Sequence, residues 1–440
     1  MCAKKSESSL PPMPPEVEAY LREVGKAAAG RSLSEALRPD QALGQMMGRA
    51  LEIALEEEMS AHLGYAPHQR VQPDEGQPSR RANTRNGSSS KRVRSQFGEV
   101  AIEVPRDRHA SFEPHIVPKH ASVTQEIADR VVLMYATQTQ EQIRAHLAQI
   151  YNLQVDDSFI SRLVARVDPE LKAWRNRPLE AVYPVLFVDA LHLKMRHADG
   201  VRATALYTVC GYGESGRLQV LGLHVAPEGF AAGESAAFWH QVFLSLQGRG
   251  LAQPLIVCGD GLAGLEQALA AVYPQARFQP CVVHLLRASF RQASYRDRKA
   301  LASALRTVYK APTYEAAELA LAQVGAQWGA RLPGVVAQWE GHLVALKDLW
   351  SYGAALRKLV YTTNPIENVH RQVRQATKTR GALPNPESAL RLVTLVLQRV
   401  DEAHAHREQA RPDWRAIVNE LHIHFGDRLP RDWGYRMCAT

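Results

Sequence analysis

The chain has 440 residues, and its apolar content of 45% with 22% charged residues is typical of a globular protein with two or three domains. Five scattered cysteines argue against a disulfide framework and for a reduced cytoplasmic protein, and the lack of an apolar run of about 18 residues argues against a membrane span. The formal net charge of +8 favours polyanions as partners.

The N-terminal part predicts a leader, a helix and a basic hairpin. Residues 1–40 are expected to be a flexible leader, and apolar residues at helical spacing predict a helix over Ala42–Leu63. Segment 76–98 contains six basic residues and no acid, and it runs into a strand over 100–104 that we expect to pair across the Phe97-Gly98 turn. Such a segment favours phosphate contact over a solvated surface, so region 41–115 is predicted to bind DNA. The six residues are Arg80, Arg81, Arg85, Lys91, Arg92 and Arg94.

Region 116–178 is predicted to be helical. A helix over Gln140–Tyr151, a short turn at 152–155 and a second helix over 156–167 match the spacing of a helix-turn-helix. Ser161 and Arg162 would then face a DNA major groove. A plain helical hairpin remains the alternative.

The next region, 179–284, predicts an α/β sheet. Three strands form a meander, and a helix, a strand, a second helix and a short strand follow, which gives the order βββαβαβ of a ribonuclease-H-like mixed sheet. The strands are expected over 183–196, 201–212, 217–226, 255–258 and 277–279. We expect an all-α insertion over 285–359 and the last part of the same core, with C-terminal helices, over 360–440.

Three acids stand where a carboxylate is unusual. Asp189 interrupts an apolar strand, Asp260 ends another, and Glu367 lies near the start of a helix. Two Mg²⁺ ions about 4 Å apart, fixed by carboxylates, can cleave a phosphodiester, and Mn²⁺ is the expected substitute. Each acid also has a structural explanation: Asp189 as a satisfied core residue, Asp260 as a helix cap, and Glu367 in a capping box.

Two further groups of residues accompany the acids. Cys281 and His284 form half of a zinc-site pattern, but no second pair stands at ligand spacing, so His284 is expected either to contact DNA or to pack structurally. The helix that carries Glu367 has basic residues on one face, which predicts phosphate contacts or, alternatively, a solvated stripe. These residues are Arg371, Arg374 and Lys378.

Several motifs together resemble the bacterial IS256 (Mutator-type) transposases. They include Phe187-Val188-Asp189-Ala190-Leu191-His192-Leu193-Lys194, Gly259-Asp260-Gly261-Leu262, Cys281-Val282-Val283-His284, Asn364-Pro365-Ile366-Glu367-Asn368 and Thr377-Lys378-Thr379-Arg380-Gly381. The resemblance implies a DDE transposase in which Asp189, Asp260 and Glu367 bind the catalytic metal ions and Cys281 and His284 form the family's C-x-x-H pair. Lys194 and Arg380, which lie within these motifs, are added to the predicted DNA contacts. The sequence departs from the family where Gly259 replaces a Ser and His370 replaces an Asn.

The resulting hypothesis is an enzyme that binds the terminal inverted repeats of its own insertion sequence, cleaves the DNA and performs strand transfer. Its expected partners are the double-stranded DNA of the element's ends and target and further copies of the chain, in a homodimer or higher oligomer. We expect it in the bacterial cytoplasm, associated with the nucleoid. The alternatives are a catalytically silent DNA-binding repressor and a nuclease without strand transfer.

Overall fold

The computed structural model describes residues 14–31, 33–36, 42–69, 83–95, 98–119, 123–225, 235–361, 364–406, 411–431 and 433. The chain divides into two compact units, Met1–Arg166 and Val167–Thr440. None of the helices in these described ranges is long and apolar enough to cross a membrane.

The first unit is built from helices and one hairpin. Its elements are α1 (Pro15–Ala28), α2 (Leu33–Ala36), α3 (Ala42–Leu63), β1 (Arg85–Ser95), β2 (Gly98–Asp107), α4 (Gln125–Tyr135), α5 (Gln140–Tyr151) and α6 (Asp157–Ala165). The prediction of a flexible leader over 1–40 was wrong for α1. This helix has a proline in its first turn, acidic residues at its start and Lys26 in its last turn, all of which favour a helix.

The predicted hairpin is confirmed in the first unit. Strands β1 and β2 are antiparallel, and Ser95 pairs with Gly98. The apolar side of the hairpin packs on α3 through a small core that includes Leu55, Val93 and Ile102. The alternating apolar residues of β2, together with Val93 of β1, therefore fix which side of the hairpin faces α3.

The end of β2 is held by a buried carboxylate. Asp107 is 4% exposed and accepts hydrogen bonds from the backbone N–H groups of Ser111 and Phe112 and from the side chains of Asn83 and Ser111. Burial favours the neutral acid, but these donors outweigh it and hold the pKa of Asp107 well below its ordinary value. Asp107 therefore anchors the loop after β2.

The second unit contains a five-stranded mixed sheet surrounded by helices. Its strands are β3 (Val182–His197), β4 (Gly200–Tyr212), β5 (Leu218–Val225), β6 (Gln253–Gly259) and β7 (Arg277–Pro280). Their spatial order is β5-β4-β3-β6-β7, in which β3, β4 and β5 are antiparallel neighbours and β6 and β7 run parallel to β3. The predicted order of strands and helices is confirmed, with α8 (Ala236–Gly248) and α9 (Leu265–Val272) in the expected places.

Helices complete the second unit. The remaining elements are α7 (Asp168–Arg175), α10 (Val282–Gln292), α11 (Arg298–Tyr309), α12 (Tyr314–Trp328), α13 (Pro333–Leu343), α14 (Lys347–Ser351), α15 (Ala354–Val360), α16 (Asn364–Thr377), α17 (Pro386–Ala405), α18 (Trp414–Phe425) and a 3₁₀ turn at Gly426–Arg428. Segment 285–359 is helical, as predicted. Helix α7, which lies in the predicted region 116–178, belongs to the second unit.

The sheet lies at the centre of the second unit, and its strand β3 is buried on both faces. Residues 183–188 of β3 are all buried, and α8 and α9 cover one face with a core that includes Trp239, Phe243 and Leu265. After α16 the chain returns to β3, where Leu383 donates to the Lys194 carbonyl and accepts from the Arg196 N–H. This short parallel bridge fixes α16 and α17 against the end of the central strand.

Candidate active site

The sheet places the first two acids side by side. Asp189 lies on β3 directly after Val188, and Asp260 directly follows Gly259, the last residue of β6. Val188 and Gly259 are paired in the parallel ladder between these strands. The two acids therefore follow paired residues on adjacent strands, as expected from their positions after two apolar runs.

His284 lies between the acids of the sheet and the acid of α16. Its Nδ1 is 3.8 Å from Oδ2 of Asp260, and its Nε2 is 3.9 Å from Oε1 of Glu367. Cys281, the residue before α10, donates its backbone N–H to the carbonyl of Gly259 over 2.9 Å, which fixes the start of α10 beside the end of β6. The imidazole is thus held among carboxylates by the local fold.

The charge around His284 favours its protonated form. Contact with Cys281 is the strongest influence, and together with the carboxylates of Asp260 and Asp189 it raises the pKa of His284 to about 9 against the opposing effect of burial. His284 therefore contacts Asp260 and Glu367 and interacts electrostatically with Asp189.

Asp189 is the most buried of the three acids, at 7% exposure. One oxygen accepts the N–H of Ala190 over 2.8 Å, and the other is 3.2 Å from Nδ1 of His370, a fully buried residue of α16. Burial favours the neutral carboxylic acid, but His370, His284 and the Ala190 N–H outweigh it and lower the pKa of Asp189. Asp189 therefore favours the ionised form despite its burial.

The other two acids are less buried than Asp189, and Asp260 does not have the capping role considered for it. Asp260 has a side chain 48% exposed and accepts the N–H of Gly261, whereas α9 begins at Leu265 with Gly264 before it, so Asp260 is not the cap of α9. Glu367 accepts two hydrogen bonds from the guanidinium of Arg287. Its carboxylate is therefore directed toward α10.

Arg287 is a residue of this site that the sequence did not reveal. It follows His284 by three residues on α10, so both lie on the same face of that helix. Its two terminal nitrogens are 2.5 and 3.0 Å from the two oxygens of Glu367. The i, i+3 spacing from His284 was the available signal, but its use required knowledge of where α10 packs.

The predicted basic residues of the second unit lie at the surface. Arg371 and Arg374 are exposed on α16, Lys378 is exposed directly after it, and Lys194 is exposed near the end of β3. Arg380 is partly buried and donates to the carbonyl of Ala376. Their contact with DNA stays a prediction.

The predicted basic residues of the hairpin have partners within the first unit. Arg85 contacts Glu56, Ser60 and Tyr65, and Lys91 donates to the carbonyl of Pro118. Segment 76–98 contains no acid itself, and the carboxylates that pair with its basic residues come from other parts of the first unit. Glu99 of β2 pairs with Arg92 and with Arg94, and Arg94 also lies over the ring of Phe159. Arg80 and Arg81 lie outside the described residues.

Helices α5 and α6 lie where the two helices of the helix-turn-helix, or of the alternative plain hairpin, were predicted. Thr139 and Gln142 form a reciprocal capping box at the start of α5, and Asn152 ends that helix in the left-handed conformation with φ 52°. Ser161 and Arg162 are exposed on α6. Their side chains are therefore accessible, and their contact with DNA stays a prediction.

The chemistry of the three acids fits a hard divalent ion, but their present arrangement does not enclose one. Within the described part of the chain, no three or more His, Cys, Asp and Glu side chains are placed so that they could hold a metal ion. The acids contact His284, His370 and Arg287 instead. Carboxylate oxygens are nevertheless the ligands that Mg²⁺ prefers.

Comparison with known proteins decides the family. Residues 20–406 match the family described as "Transposase, Mutator family". The chain belongs to this family. The transposase for insertion sequence element ISRM3 of Rhizobium meliloti (strain 1021) is 33% identical over 403 residues, which cover 91% of this chain and 96% of that protein.

Other members of the family are similar over most of their lengths. A probable insertion sequence transposase of Corynebacterium diphtheriae is 34% identical over 74% of this chain and 99% of its own. The transposase of IS256 in transposon Tn4001 of Staphylococcus aureus is 25% identical over 72% of this chain and 81% of its own. The resemblance to IS256 (Mutator-type) transposases is thereby confirmed.

Proposed function

We propose that this Mutator-family member is a DDE transposase that cleaves the ends of its own insertion sequence and transfers the strand to target DNA. The observation that carries the proposal is the meeting of Asp260 and Glu367 around His284, with Asp189 on the adjacent strand. The strand order β5-β4-β3-β6-β7, in which two parallel strands extend an antiparallel meander, supports a ribonuclease-H-like core.

Asp189, Asp260 and Glu367 would hold two Mg²⁺ ions, for which Mn²⁺ can substitute. When bound, the ions supply charge stabilisation for the attacking and leaving oxygens of a phosphodiester. Because Glu367 is paired with Arg287, that contact must open before the carboxylate can serve as a ligand. Arg287 would then remain beside the site as a cation suited to the phosphate.

The residues around the acids would orient them. His370 contacts Asp189 from α16, so it links the helix that carries Glu367 to the central strand. Cys281 fixes the start of α10 on β6 and thereby sets the position of His284. This C-x-x-H pair would act as a positioning device rather than as half of a zinc site.

The first unit would bind the terminal inverted repeats. The exposed face of α6 with Ser161 and Arg162 fits a major groove, and exposed Arg92 on the hairpin fits the DNA backbone. Strand transfer requires two DNA ends and a target to be bound together, which needs more than one copy of the chain. We therefore propose a homodimer or higher oligomer on DNA. Such a protein would act in the bacterial cytoplasm, at the nucleoid.

A cleavage assay tests this proposal. The substrate is a duplex that contains the inverted repeats flanking the gene, incubated with Mg²⁺ and the full chain. We expect Asp189→Asn, Asp260→Asn and Glu367→Gln each to lower the cleavage rate at least about a hundredfold while binding of the duplex persists. Asp199→Asn, at the exposed β3–β4 turn, is the matched control and should cleave normally.

The outcomes separate the alternatives. Cleavage that persists in the three acid variants contradicts the assignment of the acids. Binding without cleavage by the unaltered chain supports a repressor instead. Cleavage without joining of a pre-cleaved 3′ end to target DNA supports a nuclease.

A further inference from the structure

A basic cavity lies beside α16, next to the candidate active site but separate from its acids. It has a volume of about 510 Å³ and is bounded by the β4–β5 turn, the first half of α16, the end of α17 and the residues just before α18. Three arginines contribute to its lining: Arg217, Arg371 and Arg411. None of the described residues that line it is acidic.

A second, smaller cavity extends the first along the start of α16. Its volume is about 270 Å³, and it shares Tyr212, Asn368 and Arg411 with the larger cavity. It adds the exposed Lys358 of α15 to the cationic lining. The two cavities adjoin at these shared residues and are together named here the α16 groove.

The wall of the α16 groove is rigid. Gly216 of the β4–β5 turn has φ +65°, and a Cβ at this position would lie 2.4 Å from Cγ of Trp414. Trp414 is fully buried, donates its indole N–H to the carbonyl of Glu214 and packs near the ring of Tyr212. Arg411 is fixed by two hydrogen bonds to Asp413. A preformed wall with fixed cations is typical of a binding site.

The geometry of α16 connects this groove to Glu367. Consecutive residues of an α-helix are about 100° apart around the axis, so Asn368 and Gln372 face the groove while Glu367 faces α10. Arg371 is one turn after Glu367, lies between these two directions and lines the groove. The phosphodiester backbone of a nucleic-acid strand could therefore run from Glu367 past Arg371 into the groove.

We propose that the α16 groove binds phosphodiester groups of a DNA strand at nucleotides away from the one that is cleaved. The inference rests on the proposed function for the position of the cleaved phosphate. Guanidinium groups suit phosphate oxygens, and the cavity has room for a nucleotide. The groove would hold the strand in register while its reacting phosphate lies beside the acids.

Isosteric substitutions test the proposal without disturbing the fold. Gln372→Glu adds one negative charge at an exposed position of the groove, and Gln323→Glu adds the same charge at an exposed position of α12. The probe is a fluorescein-labelled single-stranded 20-mer, bound to the full chain in EDTA at about 0.1 M salt. Affinity is measured by anisotropy, and hydrogen exchange is followed in peptides that span 211–220 and 364–377.

We expect Gln372→Glu to weaken binding roughly two- to fivefold and, at an oligonucleotide concentration near the dissociation constant of the unaltered chain, to reduce the protection of both peptides, with Gln323→Glu unchanged. Unaltered affinity and protection in Gln372→Glu would overturn the proposal. So would protection of these peptides by polyglutamate and not by DNA, which would indicate an acidic protein segment as the ligand.

The assay is independent of cleavage. If the charge effect is found but the chain does not cleave DNA, the groove stands and the proposed chemistry fails. If the chain cleaves DNA and Gln372→Glu binds normally, the chemistry stands and the groove fails.

Discussion

At the scale of single residues, Asp189 is the acid most firmly held in place. It is fixed by the central strand, by the N–H of Ala190 and by a buried imidazole from α16. Its position between apolar residues could be predicted from the sequence, because an acid within a buried strand requires partners. The identity of the partner could not, since His370 reaches Asp189 only through the packing of α16 on β3.

Substitution of His370 tests its positioning role. His370→Leu keeps an apolar side chain at a fully buried position but takes a partner from the buried Asp189 carboxylate, so the melting temperature should fall and the cleavage rate should fall about tenfold or more. His370→Asn retains a donor and should keep most of the rate. Equal rates for the Leu and Asn variants would contradict a positioning role.

The hydrogen bonds of Asp107 predict how the stability of the first unit depends on pH. Its pKa in the folded protein lies below the ordinary value of 3.8, so its contribution is fully present above about pH 4 and is lost as the pH falls through the folded pKa. Asp107→Ala should lower the free energy of unfolding at pH 7 by roughly 2–4 kcal/mol, because four donors lose their acceptor.

Urea unfolding at pH 7 and pH 3 measures this effect. The gap between Asp107→Ala and the unaltered chain should narrow at pH 3, whereas Asp129→Ala, an exposed acid of the same unit, should unfold like the unaltered chain at pH 7. A gap that widens toward low pH would contradict the sign of the shift.

At the scale of elements, local sequence patterns predicted most helices and strands, whereas the contacts between distant elements could not be predicted. The hairpin, the meander and the helices of the second unit follow from alternating or helical apolar spacing. Helix α1 lies in the segment that was expected to be a flexible leader, although a proline and two acids in its first turn favour a helix. The pairing of Leu383 with β3 and the approach of Arg287 to Glu367 were also missed, since both depend on where distant helices return to the sheet.

The start of α5 can be tested at its cap. Thr139→Ala removes the side-chain acceptor of the Gln142 N–H and should destabilise the first unit by about 1 kcal/mol. Thr139→Ser is the matched control, because serine keeps a hydroxyl acceptor at the same position. Thermal unfolding measures both variants, and an equal loss of stability in Thr139→Ser and Thr139→Ala would contradict the assigned cap.

At the scale of the whole molecule, we propose that the first unit recognises DNA and the second unit carries the catalytic acids. We expect a fragment of residues 1–166 to bind inverted-repeat DNA with a strong dependence on salt and without cleavage. Gel-shift titration at two salt concentrations measures this. A fragment that is folded by circular dichroism but does not bind, while the full chain does, would place recognition elsewhere.

The central claim is that Asp189, Asp260 and Glu367 together bind divalent ions. Electron paramagnetic resonance of Mn²⁺ titrated into the full chain tests it most directly, because free and bound Mn²⁺ differ in signal. We predict binding to the unaltered chain that weakens at least about tenfold in Asp189→Asn and Asp260→Asn and stays unchanged in Asp199→Asn. Mn²⁺ binding of equal strength in all four proteins would contradict the claim.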